Sequence, residues 1–380
     1  MRTPASSPSA PRGHADSSSV LIVSRELDPV GSARQIELLA AGLARAGLDV
    51  HLALLTAATA TDSPAAPRSA SLAGRVAAAG GQVHRLGTRP VPDAAAILRL
   101  VRLAAALRPA VVVLSGRRLL QIAPPLRAIL RSVRLVAWIA VPCRHRGSTL
   151  ALHAVDLVVA SSSGVAASAR GGAAVEIIPP GVTVDVGSGL DRQDVARRLG
   201  LDPAMAWTLC VAPLEPEAHL DRLLWAIDQL GVVHRGIAHL LVGSGPLLRR
   251  VRRRAHVQQL ADRLVVQPRC PLLPDLLAQV RLVWQSGEVA VGGAILDGMA
   301  RGVPAVMVES DAARQLVVDG ETGCIVPPLP ESEFPRRALT VIEDDALASR
   351  WGAAAAERAA REFSADRMIE RWLTVINRGR

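Results

Sequence analysis

Residues 20–55 read VLIVSRELDPVGSARQIELLAAGLARAGLDVHLALL, and this stretch decides the fold class. VLIVS (Val20–Ser24) is an apolar run of strand length. A loop containing Gly31 follows, and then Ile36, Leu39, Ala40 and Leu43 recur at helical spacing on one face. Gly47 is placed to end that helix in a left-handed conformation, and Asp49–Leu55 is the next strand. Strands that are apolar throughout, separated by an amphipathic helix, belong to a parallel sheet covered on both faces.

The same rhythm continues through a strand near Val83, a helix over Ala95–Leu107 and a strand at Val111–Leu114. A helix through Leu119–Leu130 and strands at Leu135–Val141, Asp156–Ser161 and Val175–Val182 complete this half. The Gly- and Asp-rich stretch Gly187–Asp202 interrupts the pattern. It restarts with strands at Trp207–Ala212, Ile237–Gly243, Arg263–Gln267, Leu282–Ser286 and Pro304–Val308, and helices fill the chain from Phe334 onward. The expected fold is α/β, with two facing Rossmann-like doubly wound domains. The expected layout is a disordered tail (1–19), a first domain (20–180), a linker (181–202), a second domain (203–362) and a helix (363–380) crossing back onto the first domain. The tail is rich in Ser, Pro and Ala and lacks the apolar segment of a signal peptide.

Composition narrows the function. Half of the 380 residues are hydrophobic, which excludes wholesale disorder. Only 2% are aromatic and none is Tyr, so a nucleic-acid partner read by base stacking is not expected. Lys is absent and all 44 basic residues are Arg, which excludes a P-loop lysine and Schiff-base chemistry. The net charge of +10 is spread along the chain. Its densest run, Arg249, Arg250, Arg252, Arg253 and Arg254, reads as the solvated face of a helix whose inner stripe is Leu247, Val251 and Ala255. A peripheral membrane contact is the competing reading of that run. Cys143, Cys210, Cys270 and Cys324 lie far apart with no C-x-x-C pair, so buried thiols are expected rather than a metal site. No apolar run approaches the roughly 20 residues that span a bilayer, and the expected location is cytoplasmic.

In doubly wound sheets, ligands bind beyond the carboxyl ends of strands, where glycine lets backbone N–H groups approach phosphates. Three stretches are placed for this. DPVGSARQ puts Gly31 and Ser32 between the first strand and its helix. VGSGP puts Gly243 and Gly245 at the equivalent place in the second half. AVGGAILDGMARGVPAV sets Gly292 and Gly293 before a helix carrying Asp297. Each is equally consistent with a plain structural turn. The first turn lacks G-x-G-x-x-G, which argues against a dinucleotide-dependent oxidoreductase.

Together these stretches resemble the retaining glycosyltransferases of family 4, from Val20 nearly to the end of the chain. The matching pieces run in the family's order: RPAVVV, AVDLVVASS, VEIIPPGV, HLLVGSGPL, DGMARGVPAV, VDGETGCIVPP and ERAAREFSADRMIERW. The resemblance implies a GT-B fold, a nucleotide-diphospho-sugar donor bound by the second domain, a glycan or lipid-linked acceptor, retention of configuration, and no metal or other cofactor.

The departures fall on the chemistry. The family's G-R-L-x-x-x-K-G supplies an Arg and a Lys to the donor diphosphate. Here the stretch reads APLEPEAH, with Pro213 and Ala218 in those places. The family's paired glutamates align with Val289 and Asp297, and Glu288 is one residue from the first slot. The family's active-site His falls near Ala140, with His145 five residues further on. His145 and Glu288 are therefore the candidate catalytic residues. Arg222, Arg249 and Arg314 are candidate replacements for the missing diphosphate ligands. Two functions follow from the resemblance: a weakened hexosyltransferase, or a catalytically inactive homologue serving as a binding or scaffold subunit in glycan assembly.

Overall fold

The structure is a computed structural model and describes residues 19–25, 32–55, 72–87, 94–143, 150–169, 172–184, 189–288 and 293–378. Strands β1 (Ser19–Ser24), β2 (Asp49–Leu54), β3 (Gln82–Arg85), β4 (Val111–Ser115), β5 (Arg134–Ile139), β6 (Leu157–Ala160) and β7 (Ala174–Ile177) form one sheet. Its order is β3-β2-β1-β4-β5-β6-β7 and every pairing is parallel. A second parallel sheet holds β8 (Ala206–Val211), β9 (Ile237–Val242), β10 (Leu264–Gln267), β11 (Leu282–Gln285), β12 (Ala305–Val308) and β13 (Gly323–Val326). Its order is β10-β9-β8-β11-β12-β13.

Helices α1 (Ser32–Arg45), α2 (Leu72–Ala78), α3 (Ala94–Leu107), α4 (Ala123–Ile129) and α5 (Ser163–Ser168) accompany the first sheet. The second carries α6 (Arg192–Leu199), α7 (Leu220–Val233), α8 (Leu248–Val257), α9 (Leu273–Leu277), α10 (Ala294–Met299), α11 (Asp311–Leu316), α12 (Glu333–Glu343) and α13 (Asp345–Glu362). Helix α14 (Ala365–Asn377) ends the described chain.

The uninterrupted apolar strands are explained by two-sided burial. Leu21 and Val23 of β1 face one core with Leu100 and Leu126, while Val20 and Ile22 face another with Ile36, Leu39 and Leu43 of α1. Gly47 has φ +89° and ends α1 as its position implies. Three sequence-based boundaries move for identifiable reasons. The helix expected over 119–130 splits into a 3₁₀ turn (Arg117–Ile122) and α4, because Pro124 and Pro125 are tolerated only in a first turn. Strand β7 stops at Ile177, before Pro179 and Pro180. Within the expected linker, α6 forms between an Asp191 cap and Gly200 in the left-handed region, and it buries Val195 and Ala196 in the second core. Arg192 anchors it by stacking 3.8 Å from the Trp207 ring centre and donating to the carbonyls of Pro203, Met205 and Gln279.

Helix α14 returns to the first sheet. Ala365, Met368, Ile369, Trp372, Val375 and Ile376 form one apolar stripe in the core that α1 covers. Gly42 of α1 is where Ile369 sits, and a Cβ there would collide with that side chain. Trp372 meets Trp138 edge-on at 5.2 Å. Two crossings run side by side: Val182 N–H donates to Phe363 O at 2.7 Å and Ala365 N–H donates to Val182 O at 3.0 Å. Gln35 of α1 holds the first crossing through both amide atoms, to Gly181 O at 2.7 Å and from Gly181 N–H at 2.8 Å. All four cysteines are free and buried.

Two predictions follow from this packing. Trp372→Ala should lower unfolding stability by about 3–5 kcal/mol, because the site is fully enclosed. Denaturant unfolding followed by Trp fluorescence measures this, and a loss below 1 kcal/mol, roughly that of an exposed change, would remove α14 from the core. His239 is buried against Thr208 Oγ1 at 2.7 Å and stacks on Trp284. Burial, with Arg263 nearby, pushes its pKa down to about 3. The unfolded chain binds this proton below its ordinary pKa of about 6.5 while the fold does not. Stability should therefore fall as pH drops from about 6.5 toward 3, by up to about 1.4 kcal/mol per pH unit from this residue. Urea unfolding of the native chain and His239→Leu should show a shallower pH slope in the variant; equal slopes would contradict it.

Candidate functional site

Two hydrogen bonds bring the two sheets together at the carboxyl ends of their strands. β6 runs into α5 and β12 into α11. Ser162 Oγ, at the cap of α5, donates to Asp311 Oδ2 in the first turn of α11. Gln315 Nε2 donates to Ser161 O at 2.7 Å. Gly164 leaves room for the Asp311 carboxylate, which a Cβ would strike. The strand ends of both sheets therefore face a common cleft, the place where this class of sheet binds ligands. Sequence reading did not single out Ser162, Asp311 or Gln315. AVDLVVASS stood as a strand and as one piece of the family resemblance, with no role for Ser162, and a contact 149 residues away has no local signature.

On the second sheet, three loops are laced through their backbones. Leu214 N–H donates to Ser244 O at 2.9 Å, and Leu247 N–H donates to Leu214 O at 3.0 Å. A Cβ on Gly243 would collide with Ala212 O, and one on Gly245, at φ +153°, would lie 2.5 Å from Leu214 O. Both glycines are therefore required by close backbone approach. The stretch 212–219 is also pinned to the end of β11. Ser286 Oγ donates to Ala218 O at 2.8 Å, Glu288 N–H donates to Glu217 O at 2.9 Å, and a Cβ on Gly287 would lie 2.5 Å from Glu217 O. Ala218 is 2% exposed and belongs to the second core. A lysine there would place its stem in the core, so this position lacks both the cation and the space for one.

The remaining sequence-derived residues separate on inspection. Asp297 lies half-buried in the first turn of α10, behind Gly293 at φ 65° and ψ −145°, a conformation open only to glycine. Glu288 is half-buried at the end of β11. Ser32 is the first residue of α1. Gly31, Gly292, Val289 and His145 lie outside the described residues.

The three candidate arginines behave differently. Arg222 donates Nη1 to Ser286 O at 2.9 Å, so it ties α7 to the end of β11, and its Nε is buried without a partner. Arg314 pairs with Glu309 at 2.8 Å. Arg249 lies exposed in the first turn of α8, directly after the Gly243–Pro246 loop, with no ion pair among the described residues. Elsewhere on α8, Val251 is buried, and Arg250 and Arg254 both reach Asp221.

Comparison with known proteins agrees with this geometry. Residues 207–344 match the family described as glycosyl transferases group 1. A GDP-mannose-dependent alpha-(1-6)-phosphatidylinositol monomannoside mannosyltransferase of Mycolicibacterium smegmatis is 29% identical over 206 residues, covering 51% of this chain and 52% of the relative. The match thus spans about half of that relative's length. Among solved structures, HepE of Anabaena in complex with UDP-glucose superposes with a TM-score of 0.79 at 18% identity, covering 95% of this chain and 99% of that one. Sucrose-phosphate synthase of Thermosynechococcus elongatus gives 0.76 at 17% identity, covering 95% and 98%. The chain thus has the fold of these structures along nearly its whole length, and residues 207–344 in its second half match a glycosyl transferases group 1 domain.

Proposed function

We propose that the chain binds a nucleotide-diphospho-sugar in the cleft and transfers the sugar slowly, with retention, to a glycan or lipid-linked acceptor. The observation that carries this reading is the state of the 212–219 stretch. It keeps the glycine-lined backbone of a nucleotide site but packs onto the end of β11, with Ala218 buried where the family resemblance implies a cation. A protein cation beside the departing diphosphate, whose oxygens gain negative charge, stabilises the transition state more than the ground state. Losing one preorganised donor of this kind typically costs about 10²–10³ in rate. Retained backbone contacts favour binding, and the missing clamp disfavours turnover. The mannosyltransferase relative makes GDP-mannose the first donor to assay and a phosphoinositide-type glycolipid the first acceptor.

The second reading, an inactive subunit of a glycan-assembly system, is favoured by the engagement of Arg222 and Arg314 with the protein itself. Of the three arginines, Arg249 is the one placed to meet a diphosphate at the Gly243–Pro246 loop. Arg249→Ala should weaken binding of GDP or UDP at least about tenfold, the scale of one charge-assisted contact of about 1.5–3 kcal/mol, while Arg314→Ala leaves it unchanged. Calorimetry with both nucleotides tests this, and equal affinities for native and Arg249→Ala would sink the assignment. Donor-to-acceptor transfer of labelled mannose separates the two functions. Slow product formation supports the transferase, and binding without any product supports the subunit.

A further inference from the structure

Behind the cleft, where the chain crosses between the sheets, a cavity of about 330 Å³ opens between Pro179, Gln315, Glu362 and three arginines, Arg358, Arg367 and Arg371. The arginines come from helices that serve different sheets. Arg358 is on α13, whose Ala355 and Ala359 lie in the second core. Arg367 and Arg371 are on α14, whose apolar stripe lies in the first.

Each guanidinium is anchored by backbone. Arg358 donates to Leu316 O at 3.1 Å and to Gln315 O at 3.0 Å. Arg367 donates Nη1 to Arg361 O at 3.0 Å, and Arg371 donates Nη1 to Ile177 O at 3.2 Å. One bond from each of the last two leaves most of the five guanidinium donors for another partner. The nearby carboxylate does not balance them: Glu362 takes Arg358 at 2.9 Å and Arg361 at 3.1 Å. Arg367 and Arg371 have no carboxylate partner among the described residues. The cavity is therefore a concave, solvent-facing site with surplus positive charge, in which Arg358 is half-buried and Arg367 and Arg371 are exposed with one backbone bond each.

We propose that this cavity binds a phosphate or pyrophosphate group, held between Arg358 of the second domain and Arg367 and Arg371 carried by α14 on the first. The planar fork of Arg suits bidentate contact with phosphate oxygens. Gln315 lines the cavity and also donates to Ser161 O across the domain seam. An anion here stabilises the arrangement in which that seam is closed, because it draws the two helices' arginines toward one charge. The lining shares no residue with the Gly243–Pro246 loop or the 212–219 stretch, and binding there does not depend on whether transfer occurs.

Calorimetry in chloride buffer with inorganic phosphate and with pyrophosphate tests the proposal on the full chain. The expected result is binding near or below about 1 mM, weakened at least about tenfold in Arg367→Gln/Arg371→Gln. Hydrogen exchange of the native chain should slow at 161–165 and 311–316 on adding phosphate. GDP titration of the double variant checks that its cleft is intact. No binding at about 10 mM, a scale far above that affinity, or equal binding by the variant, overturns the proposal. Unchanged exchange at the seam removes the bridging role. Phosphatidylinositol vesicles run in parallel separate a lipid headgroup from free phosphate, and binding by vesicles alone counts against a soluble ligand.

Discussion

The carbonyl oxygens of Ala212 and Leu214 occupy the space that side chains on Gly243 and Gly245 would need. That close approach organises the second domain's ligand face. It brings the ends of β8 and β9 together, lets Leu214 exchange backbone bonds with Ser244 and Leu247, and sets the direction from which α8 begins. The loop after β8 then has one route left, down onto β11, where Ser286 and Glu288 receive it. A phosphate-binding loop needs open N–H groups and a cation above them. On the proposed function, backbone packing around Ala218 stands where such a cation would be.

The domains are joined by polar contacts at the seam and by the apolar anchoring of α14 on the first sheet. α14 supplies the apolar part, with Trp372 and Met368 buried against the first sheet. Polar closure rests on Ser162 with Asp311 and on Gln315 with Ser161. These part-buried hydrogen bonds contribute about 1–3 kcal/mol each, so the polar closure of the seam rests on a small free energy. The paired crossings at Val182 and Ala365 add two backbone hydrogen bonds between the two linking segments.

Much of the fold was legible because its signals are local. Apolar runs bounded by Gly and Pro marked the strands, and Gly47 and Gly245 occupy conformations that call for glycine. The Leu247, Val251 and Ala255 stripe marked the inner face of α8. The site was legible only as positions. Pro213 and Ala218 drew attention to the 212–219 stretch through the family resemblance, but its packing involves Ser286, 68 residues from Ala218. Arg222 offered itself as a phosphate ligand by charge, and its partner is a backbone carbonyl that no residue type announces. Asp311 and Gln315 carried no motif, and their role arises only when two domains meet.

The most direct test of this account is the structure of the chain with a nucleoside diphosphate bound. The account predicts the diphosphate against the Gly243–Pro246 loop with Arg249 on its oxygens, while Ser286 Oγ still donates to Ala218 O and Arg222 stays on Ser286 O. A loop at 212–219 lifted away from β11, with Arg222 turned onto the diphosphate, would contradict it.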